Sequence, residues 1–161
     1  MIGNDVVDLA LSKKQSRWQR KGFMDKIFTP SEQLRISTSQ NPESMVWNLW
    51  SRKEAAYKIY NRETGIRGYF PLQLECDCSN QNEGTVHIKG FRYFTKTTVD
   101  ADCVYTIAVA TKEHFDQIKT MDPNTPITKI NGIPYQNNPQ IQELKPVSIT
   151  HHGRFWCGIT L

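Results

Sequence analysis

The chain has 161 residues, 38% of them hydrophobic and 22% charged, a composition expected of one globular domain over 1–161 that buries its core without disulfides or structural metal. A formal charge of +4 and a pI near 8.9 suit an acidic partner and fall short of a nucleic-acid footprint. No apolar run approaches membrane-spanning length, and Met1-Ile2-Gly3-Asn4-Asp5 puts an acid where a secretion signal carries a basic region, so the expectation is a cytoplasmic protein with neither nucleic acid nor membrane as partner.

In chain order, Gly3-Asn4-Asp5-Val6-Val7-Asp8 is a compact turn-and-strand pattern. Thr29-Pro30-Ser31-Glu32 combines an N-cap, a first-turn proline and an acid at the third helical position, so a short helix is predicted there, with Phe28 stapled against Gln33 or Leu34. Asn41-Pro42-Glu43 starts a second helix, and Val46, Leu49, Trp50, Tyr57 and Tyr60 keep helical spacing to about Tyr60. Gly65 and Gly68 punctuate the next loop. Strands are predicted at Leu72–Cys76, Thr85–Lys89, Arg92–Thr97 and Val104–Ala110, then a polar, proline-rich flap or partner-binding loop from Met121 to Pro146, then strands at Val147–Thr150 and Phe155–Thr160. A strand at the start, helices early and strands late define an α+β fold, a mostly antiparallel sheet packed against helices. Cys76, Cys78, Cys103 and Cys157 read as reduced, buried side chains, since one Cys-x-Cys lacks the spacing of a zinc site.

Asp5 and Glu54 are hard-oxygen groups of the kind and number that hold Mg²⁺ while waters and substrate phosphates complete its octahedron. Taken alone, such side chains are far more often solvated carboxylates than ligands. Lys58 stands one helical turn after Glu54, either in a simple helix-face ion pair or as a cation for phosphate. His151 and His152 follow a predicted strand and point to opposite faces, so one of them at most addresses a pocket. Arg154 offers a bidentate fork for phosphate or a solvated surface charge.

Taken together, Gly3-Asn4-Asp5-Val6-Val7-Asp8-Leu9, Lys53-Glu54-Ala55-Ala56-Tyr57-Lys58 and Val147-Ser148-Ile149-Thr150-His151 resemble, in order and spacing, the hallmarks of the phosphopantetheinyl transferase superfamily. The segment Phe23 to Glu32 is also similar to the one that precedes the short helix of its small holo-acyl-carrier-protein synthase group. The resemblance implies a Mg²⁺-dependent enzyme that moves the phosphopantetheine arm of coenzyme A onto a serine of an acyl or peptidyl carrier protein and releases adenosine 3′,5′-bisphosphate. It implies that Asp5 and Glu54 bind Mg²⁺, that Lys58 contacts the attacked phosphate, that His151 helps hold coenzyme A, and that Glu54 or a metal-bound water is the base. Lys53 and the Gly65-Ile66-Arg67-Gly68 loop are further candidates for the nucleotide phosphates, glycines letting backbone N–H groups approach anions. Val7 stands where the larger, two-lobed members carry another acid, while Trp50-Ser51-Arg52-Lys53-Glu54 and the tail from Thr150 to Trp156 resemble those surfactin-type enzymes.

The small members are similar to trimers with sites between subunits, so a homo-oligomer is expected, a trimer ahead of a dimer. Two other functions remain open from the residues: a non-catalytic relative that binds coenzyme A or a carrier protein, and a Mg²⁺-dependent nucleotide hydrolase using the same ligands.

Overall fold

The structure is a computed structural model and describes residues 1–138 and 143–161. In chain order the elements are β1 (Ile2–Asp8), α1 (Leu9–Gln15), α2 (Phe23–Ile27), α3 (Pro30–Thr38), α4 (Pro42–Thr64), β2 (Glu75–Cys78), β3 (Glu83–Ile88), β4 (Phe91–Val99), β5 (Cys103–Val109), β6 (Lys119–Thr120), β7 (Ile127–Ile130), β8 (Ile133–Asn138), β9 (Glu143–His152) and β10 (Phe155–Thr160). The strands form two antiparallel five-stranded sheets, ordered β1-β5-β4-β3-β2 and β6-β10-β9-β8-β7. The class is α+β, with two sheets where one was expected.

Local chemistry sets the helices. Thr29 and Glu32 close a reciprocal capping box on α3. Its entrance is not an apolar staple: Leu34 is 64% exposed, and the Gln33 amide instead donates to the Phe28 carbonyl at 3.0 Å. Asn41 caps α4, Pro42 fills its first position, and Gly65 ends it in the left-handed region at φ 70. The helix therefore runs a turn past Tyr60. Asp8 caps α1 by accepting from the Ala10 and Leu11 amides.

Two strand expectations shift. Pro71–Gln73 winds into a 3₁₀ turn, so the strand expected from Leu72 begins at Glu75, and Leu74, Cys76 and Cys78 alternate into the core. The passage expected as a loop from Met121 to Pro146 instead carries the β7–β8 hairpin and the start of β9, with residues 139–142 outside the described residues. Asn131 and Gly132 turn the hairpin with φ of 50 and 77.

The core lies between α4 and the first sheet. Val46, Leu49, Ala55, Ala56 and Ile59 meet Val7, Leu74, Val86, Tyr93, Val104 and Ala108. Gly3 makes the closest approach, for a Cβ there would stand 2.0 Å from the Ala55 carbonyl oxygen. Only glycine lets β1 lie this close to α4. All of β1 is buried except Asp5.

Candidate active site

The site is built along a seam. The first half of β9 pairs with β8; the second half has β10 on one side and β1 on the other. Side chains, not a backbone ladder, join β1 to β9. The amides of Asn4, Val6 and Asp8 donate to Ser148 Oγ at 3.0 Å, Thr150 Oγ1 at 3.3 Å and His152 Nδ1 at 2.9 Å. These acceptors alternate along β9, so all three face β1. From α4, Lys58 Nζ donates to the carbonyls of Asn4 at 2.5 Å and Ile149 at 3.3 Å, and Arg62 to those of Ile2 and Val147. Buried backbone groups on both edges thereby find partners.

This arrangement aims Asp5 between α4 and β9. Ser51 Oγ donates to the Asp5 carbonyl at 3.3 Å, and Thr150 Oγ1 donates to Asp5 Oδ1 at 3.1 Å. Lys58 Nζ stands 3.9 Å from Oδ1, with the two side chains 27% and 13% exposed. Burial pushes the Asp5 carboxyl up to about 7; Lys58 opposes the shift and the neighbouring Glu54 adds to it. Burial likewise raises the Glu54 carboxyl, with Lys58 pulling the other way, and lowers the Lys58 ammonium against the pull of both carboxylates. All three groups are short of solvation, a state that favours uptake of a countercharge.

Beside this triad lies a cleft of about 390 Å³ lined by Tyr57, Lys58, Asn61 and Arg62 of α4, by Ile127, Lys129, Gly132, Ile133 and Pro134 of the hairpin, and by Ser148, Ile149 and His151 of β9. None of these lining residues is acidic. His151 faces the cleft while His152 serves the seam. A larger pocket of about 540 Å³ on the β2–β4 side mixes Asp77, Glu83 and Asp116 with Arg92, Lys96 and Lys112 and lies away from Asp5 and Glu54.

Lys53 does not join the site. Its side chain is fully buried, and its three N–H donors are spent on Glu32 Oε2 at 2.7 Å, the Pro71 carbonyl at 2.8 Å and the Ile27 carbonyl at 3.0 Å, which leaves none for a phosphate. The Gly65 loop is committed too: the Gly65 amide donates to the Asn61 carbonyl, the Ile66 amide to Thr64 Oγ1 and the Gly68 amide to the Tyr57 hydroxyl. Arg67 donates to the Asn131 carbonyl at 2.7 Å and clasps the hairpin turn. Arg154 is exposed but already paired. Its backbone and side chain make three bonds of 2.9–3.0 Å to the Asp8 carboxylate, which hold that carboxyl far below its ordinary range.

Several seam residues were not singled out in the sequence. Ser148 and Thr150 sit in the quoted motif, and their every-second-residue spacing was the available signal. Arg62, four residues after Lys58, repeats the helical interval that brings both cations to the seam.

The family model described as the 4′-phosphopantetheinyl transferase superfamily matches residues 1–125, and the chain belongs to that superfamily. The chain is also similar to a holo-acyl-carrier-protein synthase of Caldanaerobacter subterraneus subsp. tengcongensis, at 28% identity over 89 residues, 55% of this chain and 68% of that protein. Its fold is similar to the crystal structure of the Helicobacter pylori holo-acyl-carrier-protein synthase in complex with coenzyme A, with a TM-score of 0.54 at 19% identity, covering 68% of this chain and 98% of that one. The Thermotoga maritima holo-acyl-carrier-protein synthase has a TM-score of 0.52 at 16% identity, covering 99% of this chain and 82% of the other.

Proposed function

We propose that this protein transfers the phosphopantetheine arm of coenzyme A to a serine of an apo acyl or peptidyl carrier protein and releases adenosine 3′,5′-bisphosphate, with residues 1–161 acting as one domain. The observation that carries the proposal is the meeting of Asp5, Glu54 and Lys58 beside a cationic cleft that Lys58 lines and that has no acidic lining residue. The C. subterraneus relative bears the name of this activity.

Asp5 and Glu54 are proposed to hold Mg²⁺. They fit such an ion: burial raises both carboxyls and Glu54 adds to the shift at Asp5, a cost that a divalent cation offsets. Among the described residues no cluster of three or more His, Cys, Asp and Glu exists, which suits an ion that takes one or two protein carboxylates and fills its remaining positions from water and phosphate. Bound there, Mg²⁺ supplies Lewis-acid polarisation of the pyrophosphate. Lys58 neutralises charge on the attacked phosphate, Arg62, Lys129 and His151 draw the nucleotide phosphates into the cleft, and Ile127, Ile133 and Pro134 offer apolar contact to the rest of the coenzyme. The serine oxygen attacks the β-phosphorus in line, giving its proton to Glu54 or to a water, as the bond to the α-phosphate oxygen breaks and adenosine 3′,5′-bisphosphate leaves.

We further propose a homo-oligomer, a trimer ahead of a dimer. Half-buried Phe94 and Ile107, on the face of the first sheet opposite α4, support this reading. Dilution then lowers specific activity, and full activity in a demonstrated monomer rejects it.

The decisive experiment is the intact mass of an apo acyl carrier protein after incubation with this protein, coenzyme A and Mg²⁺. The expected result is a metal-dependent gain of one phosphopantetheine, lost in Glu54→Gln with the fold retained. Cleavage of coenzyme A without modification of the carrier overturns the proposal in favour of a hydrolase.

A further inference from the structure

Tyr69 lies where the transfer chemistry needs a second hydrogen-bonding group. Its ring stands edge-on to both Trp50 and Tyr57, with centroids 5.7 Å and 5.3 Å away. Trp50 precedes Glu54 by four residues and Tyr57 follows it by three, so the three share one face of α4. The Tyr69 ring therefore spans the turn that carries Glu54. The chain beside it is pinned by the 3.1 Å bond from the Gly68 amide to the Tyr57 hydroxyl.

The Tyr69 hydroxyl is buried without a well-formed hydrogen bond, and the Glu54 carboxylate is the acceptor within its reach. An unpaired buried hydroxyl is uncommon in a folded protein and calls for a reason. Facing a carboxylate, which only accepts, a phenol hydroxyl serves as the donor. Hydrogen bonds to the carboxylates that ligate a metal fix which oxygen is presented to the ion.

We infer that Tyr69 is a positioning residue, whose hydroxyl donates to one Glu54 oxygen and leaves the other directed to a cation shared with Asp5. The inference rests on the reading of Asp5 and Glu54 as Mg²⁺ ligands. It assigns a function to a side chain contributed by the loop after α4, outside every motif recognised in the sequence.

The test uses the full chain and Mn²⁺ as probe, with free Mn²⁺ followed by electron paramagnetic resonance in the presence and absence of coenzyme A. Tyr69→Phe keeps the ring between Trp50 and Tyr57 and removes only the hydroxyl. The expected result is Mn²⁺ binding weakened about 10- to 100-fold, with the melting temperature and the carrier-protein KM unchanged. Tyr69→Leu, which removes the ring, lowers the melting temperature as well. Wild-type Mn²⁺ affinity in Tyr69→Phe overturns the inference while leaving the metal site intact. A loss of affinity that only accompanies a lower melting temperature in Tyr69→Phe also overturns it, in favour of packing. Failure of the wild type to take up Mn²⁺ under either condition overturns the metal reading itself, and the inference with it.

Discussion

Lys53 and Glu54 are neighbours in sequence with opposite fates. Adjacent helical residues differ by about 100° in direction, so when Glu54 faces the site Lys53 must turn toward α3. There it meets Glu32, which also accepts from the amides of Thr29 and Cys76. Breaking a buried pair from one side strands a charge, so Lys53→Met is expected to lose about 3–5 kcal/mol in urea unfolding, and Lys53→Met with Glu32→Gln to recover most of it. Gly3 acts by what it lacks. The Cβ of Gly3→Ala would meet the backbone of Ala55, so β1 must move off α4 and take Asp5 with it; a cost of at least about 1–3 kcal/mol is expected in chemical denaturation, together with a fall in kcat. Asp8 sets an acid limit. Its pKa is depressed by Arg154, so its contribution to stability is complete above the unfolded value of 3.8 and drains away as pH falls below it. Asp8→Asn is expected to melt below wild type at pH 7, with the gap closing in melting curves recorded at progressively lower pH below 3.8.

At the scale of elements, the seam is a strand pairing in which side chains replace a ladder. Ser148→Ala and Thr150→Val each orphan a buried amide, at about 1–3 kcal/mol apiece. Hydrogen exchange checks this residue by residue: the Asn4 amide should accelerate in the first variant and the Val6 amide in the second. Much of the element map was legible in the chain. The capping box at Thr29, the proline start at Asn41-Pro42 and the alternation in β3 to β5 each combine a local propensity with a matching period, so they read correctly. The β7–β8 hairpin did not, because Pro134 and Pro146 outweighed the Asn131-Gly132 signal between two short apolar runs. Those prolines are tolerated where the ladder asks no amide of them. Asp5, Glu54, Lys58 and His151 stood in recognisable motifs. Tyr69 and Arg62 did not, because one reaches Glu54 from a loop crossing a helix face and the other meets a seam between strands far apart in sequence.

Across the whole molecule, the two sheets share a small apolar contact in which Ile2, Val109 and Ile159 are buried together with Phe115 and Leu161 at their margin. Most of the junction is polar, carried by the seam and by the Asp8–Arg154 clasp. The seam joins residues 144 positions apart in the chain, and contacts of such separation form late because the loop between them must close first. During synthesis, β1 leaves the ribosome before any of these partners, with the edge that β9 will cover left open until Ser148 to His152 have emerged. In that interval Asp5 lacks the bond from Thr150, so a nascent chain stalled before Ser148 carries the long helix and its glutamate but an unfinished carboxylate pair. Competence for catalysis would then arrive in one step, with the last hairpin.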